Sequence, residues 1–162
     1  MKIFHNEEIY IKTDNFSDSI FKENTMFFDI ETTGFSALVD KIIEIGAVKI
    51  QNGEIVDRYS TFVNPKKPIP FRIENLTGIN DSMVIDYPGI EEILPEFLKF
   101  CEGAVLVAHN AGFDTSFIIN NAESMGIETD FTIIDTVLMA QFAIPNLHNY
   151  KLDTLTKHLN VV

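Results

Sequence analysis

The first strong apolar signal is Thr25-Met26-Phe27-Phe28-Asp29-Ile30-Glu31, a run that reads as a buried β-strand. It stops at Thr32-Thr33-Gly34, where glycine permits a tight turn or a close backbone approach. Residues 41–50 (KIIEIGAVKI) predict a second strand and residues 54–63 (EIVDRYSTFV) a third. The Asn52-Gly53 step between them suits a hairpin. Asn64-Pro65-Lys66-Lys67-Pro68-Ile69-Pro70 then breaks the sheet, because proline cannot donate to a central ladder. A short helix is expected over residues 72–76, ended by Gly78. Helical spacing of Ile90, Ile93, Leu94, Phe97 and Leu98 predicts a longer one over 89–100. Residues 104–108 (AVLVA) read as a fourth strand, and 113–125 as a helix with Gly126 at its C-cap. A fifth short strand over 131–134, a helix over 135–142 interrupted by Pro145, and a last helix over 151–159 complete the pattern. Upstream, Ile9-Tyr10-Ile11 has the makings of a short strand, and residues 14–23 form a polar stretch broken by Phe16, Ile20 and Phe21.

The order β-β-β-α-β-α-β-α, a hairpin followed by crossovers, implies an α/β fold with a mixed five-stranded sheet flanked by helices. One domain over residues 25–162, preceded by an N-terminal extension over 1–24, accommodates it. No internal repeat or low-complexity tract interrupts the pattern.

Composition adds further constraints. The single cysteine, Cys101, excludes an internal disulfide framework and a thiolate metal cluster. No apolar run long enough to cross a bilayer occurs, so a cytoplasmic protein is expected. The formal charge of −12 leaves no broad basic surface for duplex DNA. Acidity is uneven: residues 1–81 carry net −4 and residues 82–162 net −8, with no Lys or Arg between Lys99 and Lys151. A nucleic-acid role therefore requires a small contact or bound cations that offset the field.

Three carboxylates supply candidate chemistry. Asp29 and Glu31, two apart on a strand, leave the same face. Side by side next to an apolar run they repel each other unless a cation intervenes, and oxygen-only ligands suit Mg²⁺ or Mn²⁺. The plainer alternative is the wet end of a strand. Asp114 follows the fourth strand, in the first turn of the next helix. If the first and fourth strands are neighbours, their carboxyl ends bring Asp114 to Asp29 and Glu31; otherwise it is an acid favoured by the helix dipole. Three acids with two cations form a site for phosphoryl transfer. The backbone amides of Thr33 and Gly34 could hydrogen-bond a nucleotide and Phe35 could stack on it, unless Phe35 belongs to the core.

Asp29-Ile30-Glu31-Thr32-Thr33-Gly34 and His109-Asn110-Ala111-Gly112-Phe113-Asp114 resemble the first two motifs of the DnaQ-like 3′→5′ exonucleases, the DEDD superfamily. Ile42-Ile43-Glu44-Ile45-Gly46-Ala47, Asn64-Pro65, Leu76-Thr77-Gly78-Ile79 and Ile134-Asp135-Thr136 extend the likeness over about residues 25–160. Within the superfamily it is most similar to the proofreading exonuclease domains of PolC-type DNA polymerase III alpha subunits. The resemblance implies a ribonuclease-H-like fold and hydrolysis of 3′-terminal nucleotides from single-stranded DNA. It implies that Asp29 bridges two metals, that Glu31 holds the nucleophile-side metal and that Asp114 binds the second. It also implies that Thr33 and Phe35 contact the terminal nucleotide, and that Asp135 is structural. Polymerase domains of a larger polypeptide are implied partners.

The resemblance is incomplete at one place. The third family motif, a general-base His followed after four residues by a last metal-binding Asp, lies beyond the helix that residues 150–159 resemble. His148 and Asp153 have the spacing, but Asp153 falls inside that helix, so the pair reads as coincidence. The domain is thus expected to be C-terminally truncated, weak or inactive by itself, with one weakly held Mg²⁺ or Mn²⁺, and prone to self-association over an uncovered sheet face. A non-catalytic interaction module and a small-nucleotide phosphohydrolase are the competing readings. Of the remaining residues, His109 is expected to support its loop, and Asn110 could cap the following helix or contact substrate. Cys101 should pack near its helix end, and Lys66, Lys67 and Arg72 face either solvent or a phosphate backbone.

Overall fold

The computed structural model describes residues 2–5, 8–11 and 24–161, so the polar stretch over 14–23 lies outside the described residues. All five anticipated strands are present: β3 (Thr25–Thr32), β4 (Ile42–Gln51), β5 (Glu54–Phe62), β6 (Val105–Ala108) and β7 (Ile133–Asp135). A hairpin of β1 (Lys2–His5) and β2 (Glu8–Ile11) adds two more, giving the order β2-β1-β7-β6-β3-β4-β5. β3 pairs parallel with β6 and β6 parallel with β7, whereas β3-β4-β5 form an antiparallel meander. The β4–β5 turn has Asn52 and Gly53 both at positive φ, 52° and 81°, the backbone that lets a two-residue hairpin follow the strand twist.

The helices are α1 (Phe71–Thr77), α2 (Asp81–Val84), α3 (Ile90–Cys101), α4 (Gly112–Ser124), α5 (Thr136–Ala143) and α6 (Leu152–Leu159). α2 is too short to leave a periodic signal and was not foreseen. α3 follows its pattern closely: Ile93, Leu94, Phe97 and Cys101 are buried on one face. They meet Met26, Phe28 and Ile30 of β3 and Phe117 and Ile118 of α4 in the main core. Phe97 lies at its centre with no exposed surface, its ring 6.0 Å from Phe28 and 5.6 Å from Tyr59. A smaller cluster joins Ile43 to Ile69, Ile73, Ile79 and Val84 beneath α1 and α2. Burial along β3 alternates, with Met26, Phe28, Ile30 and Thr32 inward and Phe27, Asp29 and Glu31 outward. That period of two aims both acids away from the core.

Candidate functional site

β3 continues past the end of its pairing with β6. The parallel register runs from Thr25↔Val105 to Phe27↔Val107, so Ile30 lies beyond the end of the neighbouring strand. The chain leaves β6, turns through His109 and Asn110, and enters α4 with Asp114 in its first turn. Asn110 makes this turn possible by adopting φ 61°, a left-handed backbone that asparagine tolerates better than most residues. Asp114 then reaches back across the gap, its Oδ1 accepting the Ile30 N–H at 3.2 Å. The strand-end acid and the helix acid are thereby brought together, as the neighbouring of the two strands requires.

Burial and like charge act on these acids together. Asp114 is 2% exposed, and its carboxyl is pushed up to about 7 by burial first and by the nearby charge of Asp29 second. Glu31 is raised by burial and by the charges of Asp29 and Glu44. Asp29 is raised by partial burial, against the opposing influence of His109. Glu44 is the acid that sequence reasoning missed. It sits directly opposite Glu31 across the β3–β4 ladder, and it is raised by burial and by Asp29. Its signal was present in the IIEIGA segment, but only strand register reveals that two like charges face each other. Gly46 stands opposite Asp29 and leaves that carboxylate unobstructed from the neighbouring strand.

The donors are all hard carboxylate oxygens, and among the described residues no Lys or Arg forms an ion pair with Asp29, Glu31, Glu44 or Asp114. A mutually repelling, partly desolvated set of this kind suits a hard divalent cation. Among the described residues no three His, Cys, Asp or Glu side chains converge tightly enough to form a finished metal cage. The donor chemistry therefore fits a divalent ion, and its coordination must be completed by water or by side-chain movement.

The remaining candidates divide. Phe35 is 72% exposed, which settles its position outside the core, and its ring lies 6.4 Å from that of Phe113. Phe113 in turn lies 5.2 Å from buried Phe117. Thr33 is fully buried, its N–H donating to the Lys41 carbonyl and its Oγ1 donating to Asp40. Both polar groups are occupied within the protein, so a contact through the Thr33 amide is not available in this arrangement. Gly34 does not adopt positive φ; a side chain there would collide with the Asp40 carboxylate, so the need is for close approach.

Asn110 does not cap α4. The N-cap is Ala111 and no side chain caps the helix, because Asn110 has turned into the left-handed region. Its N–H donates to Asp135 Oδ1 at 3.2 Å and its side chain is left at the surface. Asp135 also accepts the Val137 N–H at 2.8 Å as the N-cap of α5, a structural part. His109 Nδ1 lies 2.9 Å from Thr136 Oγ1 and so braces the loop. Lys67 is tied down by the Val39 carbonyl and Asp40, whereas Lys66 and Arg72 are exposed. Cys101 is buried at the end of α3, where burial pushes its thiol up to about 12. His148 and Asp153 are both exposed, and neither is among the charges that perturb Asp29, Glu31 or Asp114.

An acidic cluster at the carboxyl ends of neighbouring parallel strands, on a sheet with an antiparallel meander at its side, defines a class. The chain belongs to the Exonuclease family, whose sequence profile matches residues 26–162. It is 48% identical over 167 residues to the DNA polymerase III PolC-type of Caldanaerobacter subterraneus subsp. tengcongensis, an alignment covering 99% of this chain and 12% of that protein. It is 49% identical over 147 residues to the DNA polymerase III PolC-type of Clostridium perfringens, covering 91% of this chain and 10% of that one. The chain thus spans only about a tenth of the length of these curated relatives. Among solved structures, exonuclease X in complex with 5′ overhanging duplex DNA is 29% identical with a TM-score of 0.69, covering 84% of this chain and 73% of that one. Exonuclease I shares the fold with a TM-score of 0.74 at 14% identity, over 86% of this chain and 36% of that one. The fold is the ribonuclease-H-like one, and the family generally works with divalent metal ions. No helix among the described residues is long and apolar enough to cross a membrane.

Proposed function

We propose that residues 25–162 form a metal-dependent 3′→5′ exonuclease domain of the proofreading type, which removes 3′-terminal nucleotides from single-stranded DNA within a larger polymerase polypeptide, with residues 1–24 as an N-terminal extension. The single observation that carries this reading is the meeting of Asp29, Glu31 and Asp114 at one sheet edge, linked by the hydrogen bond from Ile30 to Asp114 and by their mutual perturbation. Family membership and the relatives' names support the substrate and the polymerase context.

In this reading Asp29 and Glu31 would hold Mg²⁺ or Mn²⁺, and Asp114 would serve a second ion beside them. Divalent ions held there supply an activated water and neutralise charge on the leaving oxygen. Phe35, stacked toward Phe113, offers an exposed ring to the terminal base. His148 and Asp153 are not among the charges that perturb Asp29, Glu31 or Asp114, and Asp153 lies within α6, so in this reading neither is assigned as the general base. The chain by itself is therefore expected to bind one ion weakly and to cleave slowly. Exposed apolar side chains on α5 and α6, namely Phe142, Leu152 and Leu159, favour self-association at high concentration.

Titration calorimetry with Mn²⁺ tests the reading. Heats of binding should be present in the native sequence and absent in the Asp29→Ala, Glu31→Ala double variant. Equal heats in both would place the ion elsewhere. No binding in either would favour a non-catalytic interaction module. A 5′-labelled oligonucleotide ladder supplies the second arm: joining a segment that carries His-x-x-x-x-Asp after residue 162 should accelerate Mg²⁺-dependent shortening from the 3′ end by about a hundredfold or more, as for interdependent catalytic groups.

A further inference from the structure

Asp40 stands outside the carboxylate cluster, yet it organises the loop that follows the first motif. Its Oδ2 accepts the Ser36 N–H at 3.0 Å, and its Oδ1 accepts the Thr33 hydroxyl at 3.2 Å. The same hydroxyl accepts the Lys41 N–H at 3.0 Å, and the Thr33 N–H reaches the Lys41 carbonyl at 2.8 Å. The loop is thus closed at its base. Gly34 packs tightly on the carboxylate, and a Cβ there would force the Asp40 side chain to move aside. From outside the loop, Lys67 lies 3.6 Å from Asp40 Oδ1 and donates to the Val39 carbonyl at 3.0 Å. The Thr33 hydroxyl, the Ser36 amide and the Lys67 ammonium therefore converge on a single carboxylate.

What this hub holds in place is an unusual surface. Phe35, Leu38 and Val39 are 72%, 86% and 65% exposed, three apolar side chains presented to water within five positions. Phe35 leans on Phe113, the residue before Asp114, which joins the loop to the site. A floppy loop with such a surface would collapse onto the core or lose the ring's orientation, so rigidity has to come from polar contacts beneath it.

We propose that Asp40 is a positioning residue, clamped by Lys67, that holds the 33–41 loop so that its apolar rim receives the terminal nucleotide of the strand bound at the carboxylate site. This rests on the exonuclease reading above and deepens it: Thr33 and Gly34 act on the nucleotide through the shape of the loop that Asp40 sets, and Phe35 meets it directly. The lowered carboxyl of Asp40, held down first by the Ser36 amide, agrees with a group that works as an anion.

The chain contains no tryptophan, so Phe35→Trp introduces a lone fluorescent reporter on the loop. In that background, Asp40→Ala and Lys67→Met should each increase acrylamide quenching of the indole. In the otherwise native sequence, both should weaken binding of a short 5′-fluorescein oligothymidylate in Mn²⁺, Asp40→Ala by about tenfold and Lys67→Met by less, as expected for lost charge-assisted hydrogen bonds. Asp40→Asn, which keeps one acceptor, should fall between. The Mn²⁺ titration at Asp29 and Glu31 should not move in any of them, a separation that general destabilisation would not produce. Unchanged oligonucleotide affinity in Asp40→Ala overturns the inference, as does a parallel loss of Mn²⁺ binding. If Asp40→Ala does not fold, Lys67→Met and Asp40→Asn decide by the same criteria. If the native sequence binds Mn²⁺ but no oligonucleotide, the exonuclease reading itself falls, and the positioning role with it.

Discussion

Asp114 and Asp135 occupy comparable places and have opposite circumstances. Each is buried, 2% and 8% exposed, and each lies where a parallel strand hands over to a helix. Asp135 caps α5, receives the Val137 and Asn110 amides, and ties the β7 end to the loop after β6. Asp114 receives the Ile30 amide, but burial first and the charge of Asp29 second raise its carboxyl to about 7. One aspartate is met by two backbone donors; the other is buried beside like charges that raise its carboxyl. The difference separates an acid that builds the fold from an acid whose ionisation the fold opposes and a cation would favour.

The widest gap between the two should open in Asp114→Asn. The amide keeps an acceptor for Ile30 and removes the repulsion, so we expect metal-dependent nuclease activity in a polypeptide carrying the third motif to fall by at least about a hundredfold, as for loss of a metal-site group. Its melting temperature without metal at pH 8 should rise. A variant that is both active and less stable would erase the distinction. Asp135→Ala should do the reverse: leaving two amides without an acceptor and α5 without its cap costs about 2–4 kcal/mol, lowering the melting temperature by roughly 5–15 °C. Mn²⁺ calorimetry on the surviving folded fraction should still show binding.

Acidity sharpens the same contrast more gently. The folded chain keeps the Asp114 proton up to about pH 7, whereas the unfolded chain releases it near 3.8. The unfolded state therefore gains as pH rises through that interval, and stability should decline from about pH 4 to about pH 7 and level off above. The raised carboxyls of Asp29, Glu31 and Glu44 push in the same direction. Urea unfolding at a series of pH values without metal checks this; Mn²⁺ should flatten the slope by favouring the ionised forms. Asp114→Asn should flatten it without metal. The smallest effect is expected from Thr136→Val, which removes the hydroxyl partner of His109 Nδ1 and should cost about 1 kcal/mol while leaving metal binding intact.

Much of this molecule was determined by its sequence alone. The period of two in β3 placed Asp29 and Glu31 on one face, and the helical spacing of Ile93, Leu94 and Phe97 located α3 and its buried side. Asn52-Gly53 named its own hairpin, because local backbone preference suffices for a two-residue turn. The motifs around Asp29 and Asp114 carry the family likeness by themselves. Those signals are local, carried by residues a few positions apart. What only the tertiary structure decided depends on register and on contacts between distant segments. The pairing of Glu31 with Glu44 needed the β3–β4 ladder. The bond from Ile30 to Asp114 spans 84 positions and exists because β6 ends before β3 does. Burial of Thr33 and the convergence of Ser36, Gly34 and Lys67 on Asp40 follow from how the loop folds back on the segment after β5. A sequence shows which groups can attract or repel; distance and dielectric, set only by packing, decide which of them do.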